Sequence, residues 1–128
     1  MKLLETSDPV DYEQGHDAAR QYYERHAHEP LTATTISMFE LGFGVVRDAP
    51  SSLDELAASL AWVAFLPFTV EDALEAARIN AELQAAGERV PVADTLIAGV
   101  ARNRGADLVA RDRHFDAIDG LSVEAYRS

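Results

Sequence analysis

Between Gly87 and Phe115 runs GERVPVADTLIAGVARNRGADLVARDRHF, the stretch that most restricts what this chain can become. Pro91 suits the first turn of a helix, where its missing N–H would have no partner in any case. From there Asp94, Ile97, Ala98 and Ala101 fall on one helical face by their three- and four-residue spacing. Gly105 predicts the helix stop, and Leu108-Val109-Ala110 predicts a short, fully buried strand. Asp112 follows that strand almost at once. Two carboxylates, one on an apolar helix face and one at a strand's carboxyl end, are thus aimed at one neighbourhood.

A carboxylate buried alone is costly. Asp94 is therefore either a helix-terminal charge or salt-bridge partner of a nearby arginine, or a metal ligand. The placing of the other acids discriminates between these readings.

Taken from its start, the chain offers several. Lys2-Leu3-Leu4 predicts a brief strand that ends at Glu5-Thr6-Ser7, before Asp8-Pro9 breaks it. Asp11 to His26 is rich in helix formers, with Ala18, Ala19, Tyr22 and Tyr23 as a packing stripe; His26 and His28 read as a solvated helix end. Leu31 to Thr35 is extended, and Thr35 or Ser37 caps a helix running to about Arg47. On it Ile36, Glu40, Phe43 and Gly44 share a face, so Glu40 repeats the anomaly of Asp94. Ser51-Ser52-Leu53-Asp54-Glu55 predicts a capping box in one of two registers. Trp62 to Phe68 suits a buried strand with Pro67 at its end. Thr69 and Asp72 cap the next helix, whose expected buried face is Val70, Leu74, Ala77 and Ala81, and Gly87 ends it. His114 to Ile118 reads as one helical turn and Leu121-Ser122-Val123 as a last strand.

Helices alternating with short apolar strands predict an α/β fold around a mainly parallel sheet. The 128 residues form a single domain, 1–128. In such sheets the working site lies outside the carboxyl ends of the strands, at a topological switch point. Glu5 and Asp112 each follow a strand, and Asp94 and Glu40 come from early turns of helices beginning on the same side. Four converging carboxylates raise one another's pKa values, and a hard divalent cation is the natural remedy. Mg²⁺ takes oxygen ligands and is held by a few carboxylates together with substrate phosphates. Such an ion activates water for phosphodiester displacement.

The composition leaves a nucleic-acid partner open. There are 22 acids against 11 bases, and Lys2 is the only lysine. A net charge of −11 repels nucleic acid at long range. Acids spread along the chain, rather than gathered in a tail, are also what halophilic proteins use to stay soluble. No apolar run approaches a membrane span, and the amino end is too short and acidic for a signal peptide. The absence of cysteine fits an intracellular protein, and a cytoplasmic location is expected.

The residues carry a resemblance. KLLETS, TTISMFELGFGV, GERVPVADTLIAGVARNRGADLV and RDRHFDAIDGLSVEAY, in that order and over nearly the whole chain, resemble the PIN-domain ribonucleases, specifically the VapC toxins of type II toxin–antitoxin systems. The resemblance implies a small α/β/α sandwich, a Mg²⁺- or Mn²⁺-dependent endoribonuclease acting on RNA, and a small antitoxin partner. It implies an acidic set at Glu5, Glu40, Asp94 and Asp112, with Asp116 as an auxiliary metal ligand, and a homodimer. Phe39, Phe43, Trp62 and Phe65 supply apolar surface for that dimer beyond what a short sheet covers. The family has aspartate where this chain has Glu5, and threonine or serine where it has Ala110. Thr6 or Ser7 is the hydroxyl available in place of the latter, and Asp8-Pro9 replaces apolar residues. Arg111 and Arg113, with Arg102 and Arg104 nearby, are candidates for RNA phosphates.

Two other readings compete. One keeps the fold and drops the enzyme, giving a PIN-like binding protein; Glu5 and Ala110 favour it. The other is a receiver-type signalling domain, which needs a lysine at a strand end opposite its acids, whereas Lys2 starts a strand.

Overall fold

Strands buried on both faces need helices above and below them, and this chain supplies both layers. The computed structural model describes residues 1–6, 17–26, 28–48 and 52–126. Within these, the order is β1 (Lys2–Leu4), α1 (Asp17–Arg25), β2 (Leu31–Thr34), α2 (Thr35–Asp48), α3 (Leu53–Ser59), β3 (Ala64–Leu66), α4 (Val70–Ala85), α5 (Val92–Arg104), β4 (Asp107–Ala110), a 3₁₀ turn (His114–Ala117) and β5 (Ser122–Ala125). The five strands form one parallel sheet in the order β3-β2-β1-β4-β5. The chain builds outward from β1 to β2 and β3, then returns to lay β4 on the other side of β1. The switch point thus lies between β1 and β4.

Strand alternation sorts the core into two layers. Leu3, Leu108 and Ala110 pack with Ile79 and Leu83 of α4 and Ile97, Ala98 and Ala101 of α5. Leu4 and Val109 face the opposite way, onto Ala19, Tyr22 and Tyr23 of α1. Phe115, fully buried, closes the first layer.

Local signals account for most boundaries. Thr69 and Asp72 form a reciprocal capping box on α4. Gly105 closes α5 with φ 63°, a left-handed conformation that glycine adopts without steric cost. Pro91 stands one position earlier than expected, as the N-cap of α5. The cap of α2 is Thr34, whose Oγ1 accepts the Ser37 backbone N–H at 3.1 Å, and not Thr35 or Ser37. Ser52 makes no side-chain cap on α3, so that register of the expected box is absent; the other, at Ser51, lies outside the described residues, as do Asp8-Pro9 and the expected first turns of the helix from Asp11.

Two expectations about burial need correction. The strand expected over Trp62–Phe68 is limited to Ala64–Leu66 and lies at the sheet edge among the described residues, paired with β2, with Trp62 outside it and packed on Tyr23. The buried face of α4 is Asp72, Ala76, Ile79 and Leu83, while Val70 and Leu74 face solvent. Asp72 explains the rotation. Its carboxylate accepts from Arg104 Nη2 at 2.9 Å and from Asn103 Nδ2 at 2.9 Å, which turns it toward α5. Burial alone would raise the Asp72 pKa; the hydrogen bonds from Arg104, Thr69 and Asn103 outweigh it and hold the group well below the usual carboxylate range.

Helices α4 and α5 meet at Gly99. A Cβ there would stand 2.6 Å from Ala76 Cβ and 2.8 Å from its Cα and N, so the helices touch nearly backbone to backbone. Gly99→Ala should therefore destabilise the chain by about 2–3 kcal/mol through overpacking, despite the better helix propensity of alanine. Chemical denaturation checks this; an unchanged midpoint would mean that the two helices slide apart freely.

Candidate active site

The residues beyond the carboxyl ends of β1 and β4 are fixed by backbone pairing. Glu5 N–H donates to Val109 O at 3.0 Å, extending the β1–β4 ladder by one bond. Glu5 is thereby held at the switch point and is 6 % exposed. Thr6 follows, and its hydroxyl donates to Glu40 Oε1 at 2.5 Å and lies 3.1 Å from Ser37 Oγ. Ser37 is buried in the first turn of α2, with Glu40 one turn on. A residue of the β1 end thus orients a carboxylate carried by α2.

Asp94 sits in the first turn of α5, where unpaired backbone N–H groups favour a negative charge. Its pKa is nevertheless raised. Burial is the largest cause, and the carboxylates of Glu40 and Asp112 add to it, while His114 acts in the opposite direction. Glu40, Asp94 and Asp112, from α2, α5 and the loop after β4, are therefore within electrostatic reach of one another. His114 Nε2 stands 2.8 Å from Asp94 Oδ2, a close but poorly aligned contact. Sequence reasoning missed His114; only the 3₁₀ turn after β4 brings it back to α5, and spacing carries no signal of that.

Asp112 is exposed, and Asp116 is exposed on the 3₁₀ turn. Among the described residues no three His, Cys, Asp or Glu side chains are grouped at metal-ligating distance. The donor set is nevertheless carboxylate oxygen, and a cation that keeps several waters needs direct bonds to only one or two carboxylates. The chemistry fits a hard divalent ion. Ser7 lies outside the described residues.

The arginines divide. Arg102 is occupied by Glu75 (2.8 Å), Glu82 (2.7 Å) and the Asp119 carbonyl (3.0 Å), and Arg104 by Asp72 and the Pro67 carbonyl (2.9 Å). Both clamp α5 to its neighbours and are unsuited to RNA phosphates. Arg111 is half-buried and Arg113 exposed, beside Asp112 in sequence.

The fold and sequence have counterparts among known proteins. The family model for the PIN domain matches residues 3–121. Ribonuclease VapC5 of Mycobacterium tuberculosis is 32% identical over 98% of this chain and 93% of that protein. Among solved structures, VapBC2 from Rickettsia felis bound to a promoter DNA fragment has a chain matching with TM-score 0.85 at 23% identity, covering 97% of each chain. VapBC-5 from Mycobacterium tuberculosis, a member of the VapBC family of toxin–antitoxin systems, matches with TM-score 0.73 at 28% identity, covering 99% of this chain and 98% of that one. Nucleases of this family generally depend on a divalent metal. With the family model matched over residues 3–121 and a relative 32% identical over 98% of the chain, the chain belongs to the PIN-domain family.

Proposed function

We propose that this single domain, residues 1–128, is a divalent-metal-dependent endoribonuclease and the toxin of a toxin–antitoxin pair. The observation that carries this reading is Asp94, half-buried in the first turn of α5 with Glu40 and Asp112 close enough to raise its pKa. Glu40, Asp94, Asp112 and Glu5 would hold Mg²⁺ or Mn²⁺, with Asp116 as an auxiliary. When bound, such an ion supplies an activated water and stabilises charge on the phosphodiester. Thr6 holds Glu40 in place, and Arg111 and Arg113 take up backbone phosphates of the RNA on the exposed side. A small antitoxin covers the crevice. No helix among the described residues is long and apolar enough to cross a membrane, and the reading sets the enzyme in the cytoplasm with its RNA substrate. The chain acts as a homodimer: Phe39 and Phe43 on α2 are 71% and 61% exposed, with Val46 and Leu53 also exposed, an apolar face suited to an isologous contact. Light scattering in high salt should give twice the 14.0 kDa chain mass; a monomeric mass at high micromolar concentration refutes the dimer.

Asp94→Asn should abolish metal-dependent RNA cleavage and keep the fold. Because the folded chain raises the Asp94 pKa, it binds that proton more tightly than the unfolded chain does. Ionisation as pH rises through the folded pKa therefore costs stability, and a neutral amide relieves it. The metal-free variant should melt at or above the native temperature. An unfolded variant would make Asp94 a structural partner instead.

Glu5 tests the departure from the family's aspartate. Glu5→Asp should raise cleavage and Glu5→Gln should lower it, since misplacing a catalytic group by about 1 Å costs on the order of a hundredfold in rate. Cleavage assays of the three proteins with Mg²⁺ and Mn²⁺ decide this. No change in either variant removes Glu5 from the site, and inertness of all three returns the chain to a binding role.

A further inference from the structure

Asp94 has a neighbour that the proposed reaction does not use. His114 Nε2 lies 2.8 Å from Asp94 Oδ2, and that nitrogen is buried and in close contact with the carboxylate without the alignment of a hydrogen bond. Three features fix the ring. The 3₁₀ turn His114–Ala117 sets its backbone. Phe115, next in sequence, is fully buried and anchors the turn in the core. The two rings are in contact, with centroids 4.7 Å apart and planes at 54°. An imidazole so held is a fixed stop for the carboxylate beside it. Glu40 and Asp112, both carboxylates, raise the Asp94 pKa, whereas His114 acts in the opposite direction.

We propose that His114 is a positioning residue for Asp94, standing against Oδ2 and so limiting the orientations in which this carboxylate would meet a divalent cation. Partners that orient ligating groups from outside tune metal affinity strongly. The proposal rests on the metal-dependent reading above and adds a residue that limits how its half-buried Asp94 carboxylate can turn. It assigns His114 no proton transfer and no contact with RNA.

The test uses the native chain, His114→Phe and His114→Gln. Phenylalanine keeps a ring to pack on Phe115 and removes the nitrogen; glutamine restores an N–H near the same place. Calorimetric titration of Mn²⁺ into the RNA-free proteins is the main readout, with kcat and KM for RNA at saturating Mn²⁺ and metal-free melting temperature beside it. His114→Phe should bind Mn²⁺ about 10- to 100-fold more weakly, with KM for RNA and the metal-free melting temperature unchanged, and His114→Gln should recover most of the loss. Native Mn²⁺ affinity in His114→Phe overturns the proposal. So does tighter binding, which would make His114 a competitor for Asp94. Failure of glutamine to rescue, or affinity falling in step with melting temperature, leaves only a packing role and also overturns it. A native chain that neither binds Mn²⁺ nor cleaves RNA would instead overturn the metal-dependent reading itself.

Discussion

Contact between α4 and α5 at Gly99 and Ala76 is the constraint from which the site follows. Two helices this close cannot move separately, so α5 is held at a fixed height against the sheet. Asp94, in its first turn, inherits that height. The surrounding pairs work to the same end. Arg104 and Asn103 at the far end of α5 hold the buried Asp72 of α4, and Arg102 reaches Glu75 and Glu82. A buried pair such as Asp72–Arg104 adds little net stability over an apolar pair of similar volume, yet losing one partner strands a charge. Its effect is to make one relative setting of the helices much better than its neighbours.

Two aspartates in this chain, Asp72 buried and Asp94 half-buried, meet opposite environments. Both lose hydration, which by itself raises a carboxylate's pKa. Asp72 recovers the loss through donors on every side and is held below the usual range. Asp94 is placed beside Glu40 and Asp112, and its pKa stays raised even with His114 against it. The first environment is that of a structural group, satisfied by the fold. In the second, burial and two like charges outweigh His114 and leave the carboxylate easier to protonate. The bland reading of an acid on a helix face, a salt bridge to a nearby arginine, is realised at Asp72 by Arg104; for Asp94 the metal-ligand reading is the one proposed.

The sequence alone determined the order of elements, because apolar spacing, the Thr69–Asp72 box and the glycine after α5 are local signals read over a few residues. It determined the parallel sheet, since helices separate the short strands, and hence the side on which Glu5, Glu40, Asp94 and Asp112 emerge. Tertiary structure decided what depends on a neighbour. The α4 sequence carries two stripes, Val70-Leu74-Ala77-Ala81 and Asp72-Ala76-Ile79-Leu83, and periodicity cannot rank them; the donors on α5 selected the one containing the aspartate. Likewise WVAFLPF reads as buried by composition, but a strand's place at the sheet edge is set by the chain's return to β1 after β3. Arg102 and Arg104 looked available because charge pairing across helices leaves no trace in spacing. His114 was invisible for the same physical reason: its partner is twenty residues away in the chain, and only the turn after β4 closes that distance.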